Sequence, residues 1–80
     1  MPSLVALDIE TTGLDPQKDA VIEIAAVRFN GSRIEAEWET LINPQRPIPP
    51  AITALTGINN DMVRNAPPIR AVLHELTDFI

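Results

Sequence analysis

The sequence predicts an α/β fold: a three-stranded antiparallel meander followed by helices. Three observations predict it. The apolar run Leu4-Val5-Ala6-Leu7 and the β-branched stretch from Val21 to Asn30 both read as strands. Asn30-Gly31, a strong hairpin signal, joins the second strand to an alternating third segment. Beyond residue 60 the apolar residues recur at helical spacing instead.

Taken in order, Ser3 to Glu10 opens with residues apolar on both faces, which predicts a strand buried on both sides. Thr11-Thr12-Gly13-Leu14-Asp15-Pro16 is turn chemistry. Arg33 to Ile42 alternates, with Ile34, Ala36, Trp38, Thr40 and Ile42 on one face and Arg33, Glu35, Glu37 and Glu39 on the other. That pattern predicts an edge strand, wet on one side and guarded by charge. Asn43 to Pro50 carries four prolines and reads as a rigid connector rather than a polyproline ligand. Ala51 to Thr56 is a short helix, opened by Pro49-Pro50 and closed by Gly57. Asn59 or Asn60 caps a further turn through Val63. Behind Pro67-Pro68, the residues Ile69, Val72, Leu73, Leu76, Phe79 and Ile80 mark the clearest helix. It carries no stop signal, so residues 1–80 are expected to form a single, incomplete N-terminal fragment of a larger domain.

Composition narrows the function. Eighty residues build only a marginal core. The absence of cysteine removes disulfides and thiolate zinc sites as reinforcement. Six Lys and Arg against eleven Asp and Glu is not the footprint of a protein that tracks phosphates by charge alone. A nucleic-acid role therefore needs a local site or a bridging cation. No stretch approaches the roughly 18 apolar residues of a membrane span, and Met1-Pro2-Ser3 lacks a basic leader. A cytoplasmic chain with no membrane partner is expected.

The chemistry gathers at the end of the first strand. Asp8 and Glu10 stand two apart, so both side chains leave the same face, with Cα atoms about 6.5–7 Å apart. Two such carboxylates repel unless a cation lies between them. A pair of divalent ions about 3.5–4 Å apart suits these oxygens and serves in-line phosphodiester hydrolysis. The bland alternative is a pair that only solubilises an edge. Glu23 interrupts an apolar strand, either supporting that site or sitting at the strand's wet end. Glu35, Glu37 and Glu39 form a solvated row. His74 shares a helix face with Arg70 and Asp78, opposite Leu73 and Leu76, and reads as a surface residue.

The run Ala6-Leu7-Asp8-Ile9-Glu10-Thr11-Thr12-Gly13-Leu14-Asp15-Pro16 closely resembles the first motif of the DEDD (DnaQ-like) 3′–5′ exonucleases. The resemblance continues through Asp19 to Val27, Ile42-Asn43-Pro44, Leu55-Thr56-Gly57-Ile58 and Asp61-Met62-Val63, spanning nearly the whole chain. It is strongest toward exonuclease domains attached to bacterial replicative polymerases (DNA polymerase III) or to DinG-type helicases. It implies the N-terminal part of an RNase H-like exonuclease fold, with later strands completing the sheet beside the first. It further implies two Mg²⁺ or Mn²⁺ ions, with Asp8 a ligand of both and Glu10 of one. Asp8 and Glu10 are thus the implied catalytic and metal residues. Thr11, Thr12, Gly13 and Leu14 would lie against the terminal nucleotide, Leu14 as an apolar wedge. Thr56, Gly57 and Ile58 would close the other side. The implied substrate is a single-stranded or frayed 3′ end of DNA, with RNA as a variant, cleaved to nucleoside monophosphates. The implied partner is a polymerase or helicase in the same or another chain. Only the first two acids of the family's four are present, and neither Asp61 nor Asp78 stands in a context to replace the others. The isolated chain is therefore expected to be inactive; the alternative is a noncatalytic nucleic-acid-binding, metal-binding or interaction module.

Overall fold

A computed structural model describes residues 3–80, in the order β1 (Leu4–Thr11), β2 (Val21–Asn30), β3 (Arg33–Leu41), α1 (Pro50–Thr56), α2 (Asn60–Val63) and α3 (Ile69–Phe79). The strands form one antiparallel sheet in the order β1-β2-β3. Gly31, with a φ of 61°, supplies the left-handed turn between β2 and β3.

The central strand is β2. Ile22, Ile24 and Ala26 are buried and alternate with half-buried Glu23, Ala25 and Val27. Two apolar clusters cover the buried side. Ile22 packs with Ile48 from the connector, Ile58 from the link between α1 and α2, and Val63 from α2. Ile24 packs with Ile42 and Val72, joined by Trp38, Ile69 and Leu76. Ile69, Val72 and Leu76 of α3 thus pack on the sheet, while Leu73 stays about half exposed. Its far end is fixed by Arg28, whose guanidinium donates to the Phe79 carbonyl and stacks 4.6 Å from the Phe79 ring centroid. A cation there also suits the negative end of the helix dipole.

The expectation for β1 fails in one respect. It is an edge strand of the described sheet, not one buried on both sides, and Leu7 and Ile9 remain about half exposed (47% and 45%). The physical reason is that β1 pairs on one side only, while the buried clusters are built on β2. β3 is the opposite edge, with its glutamates exposed as the alternation requires.

The punctuation behaves as its chemistry dictates. Gly57 caps α1 at a φ of 80°, its N–H donating to the Thr53 carbonyl at 2.8 Å. Gly57→Ala should lower stability by about 1–2 kcal/mol, read from the denaturation midpoint, because a β-carbon is strained in that conformation. Asn59 caps α2 by accepting from the Met62 N–H at 2.9 Å. Asn60 instead accepts from the Ile48 N–H at 2.8 Å, fastening the proline connector to the helices. Pro44 and Ile48 are buried and anchor the connector to the fold, while Pro47, Pro49 and Pro50 stay exposed.

Candidate active site

The register places the acids. Asp8 lies opposite Ala25 and Glu10 opposite Glu23. Glu39 lies opposite Ala25 from the other side, and Glu37 opposite Val27. Directly opposed residues share a face, so Asp8, Glu10, Glu23, Glu37 and Glu39 stand on the sheet face opposite Ile22, Ile24 and Ala26. Burial raises the Glu23 carboxyl above its ordinary range, and Glu39, Glu10 and Asp8 add to the shift. Glu23 is therefore a member of the acidic face, not an isolated charge at a strand end.

Glu23→Gln should stabilise the metal-free protein by about 0.5 kcal/mol, because like charges directly opposite one another are unfavourable. The sign follows from linkage. A raised carboxyl means the folded state binds the proton more tightly, so stability rises as pH falls through the folded value. The gain from the substitution is accordingly largest at neutral pH and shrinks toward acid. Thermal melts in chelator across that range would show it.

A cleft of about 320 Å³ opens between the end of β1, the loop after it and α1. Glu10, Thr11, Gly13 and Leu14 line one side, and Thr56 the other. Residues more than 40 positions apart in the sequence thus meet across one opening. Leu14 is fully exposed and Leu55 is 81% exposed, so the apolar walls are unpartnered (100% and 81%). A second cavity, bordered by Arg46 and Arg70, gathers none of the sequence-derived site residues.

The remaining site residues are placed differently. Asp8 is exposed on the acidic face but does not line the cleft. Thr12 is buried, and its hydroxyl donates to Asp19 at 2.9 Å and accepts from the Ala20 N–H at 2.9 Å. Ile58 belongs to the core, and Gly57 is the α1 cap. Thr56 donates its hydroxyl to the Ile52 carbonyl and accepts from the Ile58 N–H, at 2.8 and 3.1 Å. The Thr11 hydroxyl donates to the Gly13 carbonyl. His74 is 89% exposed beside Asp78 and far from any role in the cleft (Nε2 to Oδ2, 3.4 Å). Sequence reasoning missed Ile9, Ile52 and Leu55 as cleft walls. The three-residue spacing of Ile52 and Leu55 on α1, directly before Thr56, was the available signal.

Asp8 and Glu10 are oxygen donors of the kind that Mg²⁺ or Mn²⁺ takes, and Mg²⁺ commonly binds through one or two protein carboxylates. The pair fits that role as a partial ligand set. Among the described residues, no three His, Cys, Asp or Glu side chains group closely enough to hold a metal ion.

A short antiparallel meander thus carries two carboxylates near the end of its first strand, beside a cleft with apolar walls. Residues 5–80 match the exonuclease family (RNase_T), and the chain belongs to it. It is 46% identical over 78 residues to the PolC-type DNA polymerase III of Thermotoga maritima, covering 98% of this chain and 6% of that protein. It is 45% identical over 77 residues to the 3′-5′ exonuclease DinG of Bacillus subtilis, covering 95% of this chain and 8% of that one. Among solved structures, exonuclease X in complex with 5′-overhanging duplex DNA superposes with a TM-score of 0.79 at 32% identity, over 90% of this chain and 42% of that one. The fold is that of the N-terminal part of the RNase H-like exonucleases. The chain thus spans less than half the length of each of these proteins.

Proposed function

We propose that this chain supplies the first acidic motif and the terminal-nucleotide cleft of a 3′–5′ exonuclease acting on DNA. The reaction is phosphodiester hydrolysis at a free 3′ end, with release of nucleoside monophosphates. The observation that carries the proposal is the cleft itself. It joins Glu10 and the Thr11–Leu14 loop to Thr56 across one opening with apolar walls. A terminal base is a flat apolar object bonded to an anionic backbone; this cleft offers Leu14 and Leu55 to the base, and Glu10, with Asp8 outside the cleft on the same sheet face, would hold the cations that the backbone needs.

Asp8 and Glu10 would hold Mg²⁺ or Mn²⁺, two ions in the complete site, which supply the positive charge that this hydrolysis requires. The chain's own residues do the rest of the positioning. Leu14 and Leu55 take the base and exclude water from it. Gly13 would bring its backbone to the cleft wall beside the nucleotide. Gly57 and Ile58 stand behind Thr56, fixing the wall it belongs to. Thr12 acts beneath the loop. The other acids of the family's four lie outside residues 1–80, so these residues by themselves are inactive. The protein works in the cytoplasm on single-stranded or frayed 3′ ends, alongside a polymerase or helicase activity. The name of the polymerase relative and the DNA bound by exonuclease X support DNA as substrate.

A second reading rests on the incomplete ligand set: a module that binds metal or nucleic acid without hydrolysing it. One experiment separates them. The full-length protein, given Mg²⁺ and a 5′-labelled single-stranded oligonucleotide, should shorten it one nucleotide at a time from the 3′ end. Retention of the oligonucleotide without cleavage, in Mg²⁺ and Mn²⁺ alike, would establish the second reading. Shortening from the 5′ end would overturn the first.

A further inference from the structure

The loop carrying Gly13 and Leu14 is closed at two levels. At its neck, the Thr12 N–H donates to the Ala20 carbonyl and the Ala20 N–H donates to the Thr12 hydroxyl, both at 2.9 Å. Above the neck, one carboxylate spans the loop. Asp19 Oδ1 accepts from the Thr12 hydroxyl at 2.9 Å, and Oδ2 accepts from the Asp15 N–H at 2.9 Å. The Asp19 N–H returns a bond to the Asp15 carbonyl at 2.8 Å. Asp19 therefore ties together residues 12 and 15, the two that flank Gly13-Leu14.

Gly13 completes the arrangement. A β-carbon at position 13 would meet Asp19 Oδ2, Cγ and Oδ1 at 2.5, 2.7 and 2.8 Å. The carboxylate fills the space that a side chain would need, so glycine and aspartate fit as a pair. Arg46 braces the loop from outside by donating to the Lys18 carbonyl.

We propose that Asp19 is a positioning residue: its carboxylate sets the pose in which Gly13 and Leu14 meet the terminal nucleotide. The inference rests on the nuclease reading above and adds to it a residue that does not line the cleft. Leu14, fully exposed, has no packing neighbour to fix it. Its position must come from the backbone on either side, and Asp19 bonds both flanks. The Asp15 backbone N–H, then the Thr12 hydroxyl, hold the Asp19 carboxyl below the ordinary carboxylate range, with Arg46 and Lys18 adding to the shift. It thus serves as an ionised acceptor, the stronger kind.

The test uses the full-length protein with a 3′-ended single-stranded DNA and Mg²⁺, comparing wild type, Asp8→Asn, Asp19→Ala, Asp19→Asn, Gly13→Ala and the Gly13→Ala/Asp19→Ala double variant. Asp19→Ala should raise KM roughly tenfold or more with kcat within about threefold, the signature of lost uniform binding. Asp19→Asn, which keeps one acceptor, should fall between. Gly13→Ala should also raise KM, and in the Asp19→Ala background should add little, because the clash is gone. Thermal melts identify any variant that fails to fold, and Asp19→Asn then carries the comparison. An unchanged KM in folded Asp19 variants, with Asp8→Asn inactive, overturns this inference alone. So does a Gly13→Ala effect of equal size in both backgrounds. Full turnover by Asp8→Asn overturns the nuclease reading and this inference with it.

Discussion

Asp8→Ala should cut the hydrolysis of 3′-ended DNA by the full-length protein roughly 10³-fold or more. The figure follows from the several kcal/mol that a bound divalent ion contributes, at a factor of ten for each 1.36 kcal/mol. Glu10→Ala should also be severe, but smaller, if Asp8 serves both ions and Glu10 one. Stability provides the control. Asp8 is exposed and stands on a face with four other carboxylates, so its removal should leave the melting temperature unchanged or slightly raised. Single-turnover assays in Mg²⁺ and Mn²⁺, paired with melts, check both parts. A variant that lost activity only as far as it lost stability would argue against a chemical role for Asp8.

The second large effect concerns the fold. Ile22 is fully buried, where the central strand meets Ile48, Ile58 and Val63. Ile22→Ala should cost about 2–5 kcal/mol, as other buried aliphatic truncations do. At roughly 0.05–0.15 kcal/mol of stability per residue, that is a large share of what so short a unit has. Leu14→Ala is the contrast. Leu14 touches solvent all round, so its loss should shift stability by no more than about 0.5 kcal/mol. Urea midpoints for the two variants should therefore separate widely. DNA affinity should move the other way, weakening for Leu14→Ala.

Much of this was legible in the residues. The strand positions to within one residue, the Asn30-Gly31 hairpin, the helix behind Pro67-Pro68 and the closing role of Gly57 all follow from local rules, and the structure agrees. What local rules could not supply was partnership. Leu4 to Leu7 is apolar on both faces, yet burial depends on neighbours across the sheet, and β1 has one. Glu23 looked ambiguous because its meaning depends on register; only pairing with Glu10 reveals it as part of the acidic face. Thr12 sits in a motif read as substrate-facing, but its hydroxyl is spent on Asp19 and Ala20. The resemblance set Thr56 across from the Thr11–Leu14 loop, but Ile9, Ile52 and Leu55 as walls of the same opening needed tertiary structure.

The pairing of β1 with β2 slips by one residue between Glu10 and Thr11: Glu10 faces Glu23, Thr11 faces Val21, and Ile22 has no opposite number. Such a bulge divides the hairpin into two zones of differing tolerance to change in length. Residues inserted at the exposed tip around Pro16 and Gln17 would leave the strand register beyond it unchanged, but would break the Asp15–Asp19 bonds that close the loop. A single deletion at Ile22 would erase the slip and turn the start of β2 over, exchanging inward and outward positions. Length variation among natural or designed versions of this hairpin should therefore be absent from the first residues of β2.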